Sequence, residues 1–155
     1  MSGQDYPLSY PTVPLRYNLE VLEYKRYIAG MPWTVVLVDE VADWYLDRVQ
    51  NDLATAEQVE TAIDFLADEG PALGRPFVDT ISGSSVRNLK ELRPGSKGRS
   101  EIRILFVFDP ARQAVLLVAG DKAGDWSRWY RVNIPVAEQR YAKWLAGGYA
   151  EERGA

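Results

Sequence analysis

Apolar positions keep a helical spacing from Val41 to Leu66 and a two-residue spacing from Pro76 through the strands that follow. Trp33 to Val38 is a β-branched run and predicts a buried strand. Asp39 then reads as an N-cap, and Val41, Trp44, Tyr45 and Val49 fall on one helical face. A second helix is predicted from Thr55, where Thr55 and Gln58 fit a capping box. Its stripe is Val59, Ala62, Ile63 and Leu66, and Gly70-Pro71 stops it. Beyond Pro76, strands are predicted over 77–81, 86–92, 101–108 and 114–119, separated by turns at 82–85, 94–99 and 109–112. Within 101–108, Ile102, Ile104, Phe106 and Phe108 alternate with Arg103, Leu105 and Val107. Residues 120–127 read as a loop. A last helix is expected from Ile134-Pro135, with Ala137, Tyr141, Trp144 and Leu145 apolar and Gly147-Gly148 as its stop. The expected class is α+β: a small, mostly antiparallel sheet, an N-terminal helical hairpin and a C-terminal helix. The helices are expected on one side of the sheet.

Residues 1–30 stand apart. They carry five of the nine tyrosines and three prolines without a sustained period, although Leu19 to Tyr24 suits a strand or a helical turn. They are read as an extension of unassigned role, 31–148 as the domain and 149–155 as a tail.

At 155 residues the chain has one domain's length. It contains neither cysteine nor histidine, which removes thiolate nucleophiles, Cys/His metal sites and the Ser-His-Asp triad. No metal or other cofactor is expected. No apolar run approaches the roughly 20 residues of a spanning helix, and no secretory signal is evident, so the expected location is the cytoplasm without membrane attachment. The formal charge of −4 hides an asymmetry. Residues 39–69 hold ten acidic residues and one basic one; residues 75–103 hold seven basic residues and three acidic ones. One positive face on an acidic protein fits that distribution, and so does a pair of ordinary solvated surfaces.

Asn88-Leu89-Lys90-Glu91-Leu92-Arg93, then Glu101 to Asp109, the strand Val115 to Ala119 and the corner Gly120-Asp121-Lys122 follow one another in order. So placed, they resemble the RelE/HigB-like toxins of type II toxin–antitoxin systems, in their phage-derived branch. The resemblance runs from about Trp33 to Leu145. It implies the RelE-like fold and a toxin that inhibits translation as a ribosome-dependent mRNA endonuclease (an mRNA interferase). It also implies the ribosome, mRNA and a cognate helix-turn-helix antitoxin as partners. Relatives that inhibit DNA gyrase without cutting RNA share the fold, so a non-catalytic gyrase-binding toxin stands as the alternative, beside a non-toxic phage-derived interaction module.

Metal-free RNA cleavage calls for cations aimed at the phosphate. Arg103 is the first catalytic candidate, as a phosphate clamp on the strand face opposite Ile104; the plain alternative is a surface arginine paired with Glu91 or Glu101. Lys122 is the second, in a glycine-bounded corner where backbone can approach a ligand; otherwise it is a turn lysine. Arg93 is the third, or else a partner of Glu91. Lys90, Arg128, Trp129, Tyr130 and Arg131 are candidate RNA-binding residues, by phosphate contact and base stacking. Trp126 is expected to pack the last helix onto the sheet. The general acid and base stay open among Glu91, Tyr130, Asp125 and Lys122. Several members of the resembling family use a histidine, or paired lysines on the motif strand, for proton transfer; this chain has no histidine and offers Glu91 where a second cation would sit.

Overall fold

The computed structural model describes residues 23–24, 33–96 and 98–150. Apart from Glu23–Tyr24, the N-terminal extension lies outside the described residues, as do Lys97 and residues 151–155. Strands are β1 (Glu23–Tyr24), β2 (Thr34–Leu37), β3 (Val78–Thr80), β4 (Lys90–Leu92), β5 (Ile102–Phe108) and β6 (Gln113–Asp121). Helices are α1 (Asp39–Asn51), α2 (Leu53–Glu69) and α3 (Trp126–Leu145), with a short 3-10 turn at Gly70–Ala72.

Among the described residues, six strands lie in the order β1-β2-β6-β5-β4-β3. Only β2 and β6 run parallel; the other neighbours are antiparallel. This is the mostly antiparallel sheet with a helical hairpin and a closing helix that the periodicity called for. The stripe of α2 is buried throughout: Val59, Ala62, Ile63 and Leu66 are at most 3% exposed. Tyr45 of α1 donates to the buried Glu60 of α2, pinning the hairpin.

Several local expectations are corrected. Asp39 is the first residue of α1 rather than its cap; Val38 holds the cap position without a side-chain bond. As a first-turn acid, Asp39 still opposes the helix dipole favourably. The second helix begins at Leu53, because Asp52 is the cap and accepts from the Thr55 amide at 3.3 Å and its hydroxyl at 2.7 Å. The strand expected over 86–92 shrinks to β4, since Asn88 takes a positive φ of 62° that breaks extension.

The largest correction concerns the last helix. It starts at Trp126, eight residues before Ile134, on an Asp125 cap that accepts from the Arg128 amide at 3.1 Å. Pro135 therefore sits inside α3. Both Pro135 and Arg131, whose carbonyl loses its helical partner, are exposed, so water satisfies the freed oxygen. The expected 120–127 loop shortens accordingly to residues 122–125. Gly147, at φ 78°, ends the helix in the left-handed conformation that glycine adopts without strain.

Helices cover both faces of the sheet, not one. Ile104 and Phe106 on one face of β5 are fully buried, and so are Leu105 and, to 3%, Val107 on the other. α3 packs on the second face: Tyr130 reaches Glu91 of β4, and Arg140 donates to the Leu117 carbonyl of β6 at 2.8 Å. Leu117 is the extra residue of a bulge, for Leu105 faces Val118 while Phe106 faces Leu116. Tyr149 is also core, 1% exposed, with its hydroxyl donating to Glu40 at 3.0 Å.

Candidate active site

Strand register assembles the site. Glu91 pairs with Leu105, so Glu91 shares a sheet face with Leu105 and with Arg103, two residues along. Lys90 and Leu92 point to the opposite face. Lys90 donates to Thr80 Oγ1 at 3.3 Å there and does not join the others. Arg103 pairs with Gly120, at the end of β6 that turns into Lys122 and then α3. Arg103, Lys122 and Tyr130 thus converge where the antiparallel half of the sheet meets the start of α3.

Glu91 is the hub. It is 2% exposed, and both of its oxygens are engaged. Oε1 accepts from Arg93 Nε at 2.9 Å, and Oε2 accepts from the Tyr130 phenol at 2.5 Å. Arg93 also reaches Asp79 at 3.2 Å, and Arg75 reaches the same Asp79 oxygen at 2.7 Å. Burial opposes the charge on Arg93, but the Glu91 hydrogen bond and charge outweigh it and raise its pKa. The Thr80 amide and then Arg75 hold the Asp79 carboxyl below its usual range. Burial, followed by the Glu91 hydrogen bond, pushes the Tyr130 phenol up to about 12. Tyr130 is therefore protonated at neutral pH with its proton turned inward. Glu91 is thus buried with a donor on each oxygen, and it holds Arg93 and Tyr130 in place.

Arg103 is held differently. Its side chain is 16% exposed, so it lies at the sheet end within the helix-covered face rather than on an open one. Nη1 donates to the Ile102 carbonyl at 2.8 Å. Its buried Nε has no hydrogen-bond partner among the described residues. Carboxylates stand off: Glu91 lies at 3.9 Å and Glu101 at 4.0 Å. Lys122 shares the same Glu101 oxygen at 3.5 Å, and its ammonium lies 5.8 Å from the Tyr130 ring centre. Glu101 is half exposed and pairs across solvent-facing distances, so it contributes only about 0–1 kcal/mol per contact. The protein's own carboxylates thus sit among the cations, one buried and fixed, one exposed and displaceable.

The aromatic expectations exchange places. Trp129 is half buried and packs over Gly120, where an added Cβ would lie 2.9 Å from the indole nitrogen. Gly120 therefore makes room for Trp129, not for a ligand. Trp126, expected in the core, is 62% exposed. Arg128 and Arg131 are exposed on α3, outside the Glu91 network. A cleft of about 320 Å³ opens beside the hub, lined by residues including Asp79, Glu91, Arg93 and Tyr130. Among the described residues, no three acidic side chains are grouped so as to hold a metal ion, and no helix is long and apolar enough to cross a membrane. The expected Arg103–Glu101 neighbourhood is present, and Lys122 joins it through the pairing of β5 with β6, a link that no sequence spacing carries.

A helical hairpin, a mostly antiparallel sheet and a closing helix, with cations gathered at one sheet end, define the RelE-like fold class. The chain belongs to the phage-derived Gp49-like (DUF891) family, whose sequence profile matches residues 48–142. It is 53% identical over 116 residues to "Putative toxin HigB2" of Mycobacterium tuberculosis (strain ATCC 25618 / H37Rv), covering 74% of this chain and 55% of that protein. It is 52% identical over 112 residues to "Putative toxin HigB3" of the same organism, covering 72% of this chain and 93% of that protein. The chain thus spans about half the length of the first relative and nearly all of the second.

Proposed function

We propose that this protein is a HigB-type toxin: a ribosome-dependent, metal-independent mRNA endonuclease, silenced by a helix-turn-helix antitoxin. The names of both relatives support the toxin reading. The observation that carries the nuclease reading is Arg103, a mostly buried guanidinium that shares Glu101 with Lys122 and whose carboxylates stay beyond hydrogen-bond reach.

In this reading, Arg103 forks onto two non-bridging oxygens of the scissile phosphate, a geometry that suits its planar guanidinium. The phosphate displaces Glu101 from its loose contacts. Glu101, the half-exposed carboxylate beside both cations, accepts the 2′-hydroxyl proton. The 2′ oxygen bonds to phosphorus, the bond from phosphorus to the 5′ oxygen breaks, and Lys122 supplies that oxygen's proton. The products are a 2′,3′-cyclic phosphate and a 5′-hydroxyl. Arg93 and Glu91 hold the frame. The need for a 2′-hydroxyl spares DNA. Ordering of the message on the ribosome supplies the orientation that a lightly built site lacks.

Arg103→Ala tests the reading. Primer extension on mRNA from induced cells should show codon-spaced cuts with wild type. With the variant the cutting rate should fall about 100- to 1,000-fold, the loss typical of removing one transition-state donor. Undiminished cutting by a folded Arg103→Ala protein ends the site assignment. Double-strand DNA breaks without mRNA cuts would replace the nuclease by a gyrase-binding toxin, and growth without arrest by a non-toxic module.

A further inference from the structure

Trp126 is the most exposed of the large apolar side chains among the described residues, at 62%. Singly exposed apolar residues are common and by themselves mean little. The position of this one is unusual. Residues 126, 130, 137 and 141 fall on one stripe of α3, and that stripe faces the sheet: Tyr130 bonds Glu91 and Ala137 is fully buried. Trp126 therefore continues the core-facing stripe one turn beyond the point where the sheet ends. It overhangs, uncovered, on the side where a core residue would be expected.

The overhang adjoins the cation cluster. The Trp126 ring meets Tyr130 edge-on at 6.4 Å between centroids, and Tyr130 has the Lys122 ammonium 5.8 Å from its own ring. Lys122 shares Glu101 with Arg103. The ring is anchored in the first turn of a 20-residue helix behind the Asp125 cap, so little order has to be gained on contact. The nearest other exposed apolar residue of α3, Val132, lies six positions on, about 240° round the helix. Trp126 is thus no part of a continuous apolar stripe of the kind that docks a partner helix. An exposed flat ring one side chain from a cationic cluster matches the way single-stranded nucleic acid is held, by stacking beside charge.

We propose that Trp126 is a stacking platform for the nucleobase next to the phosphate held by Arg103 and Lys122. This rests on the reading of that cluster as an RNA phosphate site, and it adds the subsite that seats a base.

The test is binding of the full-chain protein to a fluorescein-labelled eight-nucleotide oligoadenylate, followed by anisotropy at low salt. An abasic oligonucleotide of the same length serves as comparison. Trp126→Ala should bind oligoadenylate about 5- to 100-fold more weakly, the range of one lost base stack. Trp126→Phe should stay within about threefold of wild type. On the abasic strand Trp126→Ala should equal wild type, and its salt dependence should be unchanged, because no phosphate contact is lost. Arg103→Ala should weaken both strands. Oligoadenylate binding that is unchanged in Trp126→Ala but weakened in Arg103→Ala overturns the platform and leaves the phosphate site standing. Equal weakening on both strands also overturns it, as a structural effect. Weakening confined to the antitoxin complex overturns it in favour of a protein contact. A wild-type protein that binds oligoadenylate no more tightly than the abasic strand overturns the platform and leaves the phosphate site standing.

Discussion

The corner formed by β3 and β4 and the end formed by β5 and β6 are built from the same residue types, yet they are saturated to different degrees. At the corner, Arg75, Asp79, Arg93 and Glu91 form a chain with every link between 2.7 and 3.2 Å. At the sheet end, Arg103 and Lys122 share one half-exposed carboxylate at 4.0 and 3.5 Å. A guanidinium with carboxylates at hydrogen-bond distance is already answered, and it serves the fold. One with carboxylates beyond that distance is held instead by neutral groups, as Arg103 is by the Ile102 carbonyl, and under the proposed function it is the one that meets the phosphate. Arg93 and Arg103 are therefore held differently, although both lie near Glu91.

Substituting these two arginines in parallel is the sharpest way to break that contrast. Arg93→Ala should lower stability by roughly 3 kcal/mol, because it strips the buried Glu91 of its closest cation. Thermal or urea unfolding reads this loss, and cleavage by the folded fraction should change little. Arg103→Ala should shift the unfolding midpoint only slightly while cutting falls about 100- to 1,000-fold. Equal stability losses in the two variants would erase the distinction between corner and end.

Titration of Tyr130 offers a smaller effect on the same network. Its pKa is raised in the folded state to about 12 from an ordinary 10.0. The stability linked to it is fully present below pH 10 and is lost as pH rises from 10 towards 12, on the order of 2 kcal/mol. Tyr130→Phe should flatten this alkaline decline in urea midpoints measured from pH 9 to 12. A variant with the wild-type slope would show that Tyr130 is not coupled to the buried Glu91. The smallest effect is expected from Asp125→Ala, which removes the cap of α3 and should cost about 1 kcal/mol. Increased amide exchange confined to the first turn of α3 would place that loss beside Trp126, at the sheet end; exchange spread evenly along the helix would not.

Much of the site was visible in the residues and little of it in their arrangement. Arg103, Lys122 and Tyr130 were candidates on type and spacing, and the structure brings them together. Lys90 was a candidate on the same grounds and faces away, because side chains alternate along β4 and Glu91 takes the inner face. Trp126 and Trp129 were legible only as aromatics beside arginines. Which of them packs depends on where the sheet stops beneath α3.

What the residues determined alone is what neighbours in the chain decide. Helical stripes such as Val59, Ala62, Ile63 and Leu66, the alternation through 102–108 and the glycine stop at 147 depend on side chains a few positions apart. The absence of histidine and cysteine likewise bounded the chemistry from the start. Tertiary structure decided the rest: the bulge at Leu117, the burial of Glu91, the helix that runs through Pro135, and the loose hold on Arg103. Those outcomes follow from strand register and from which helix covers which face. Both are set by contacts between residues distant in the chain, where periodicity carries no information.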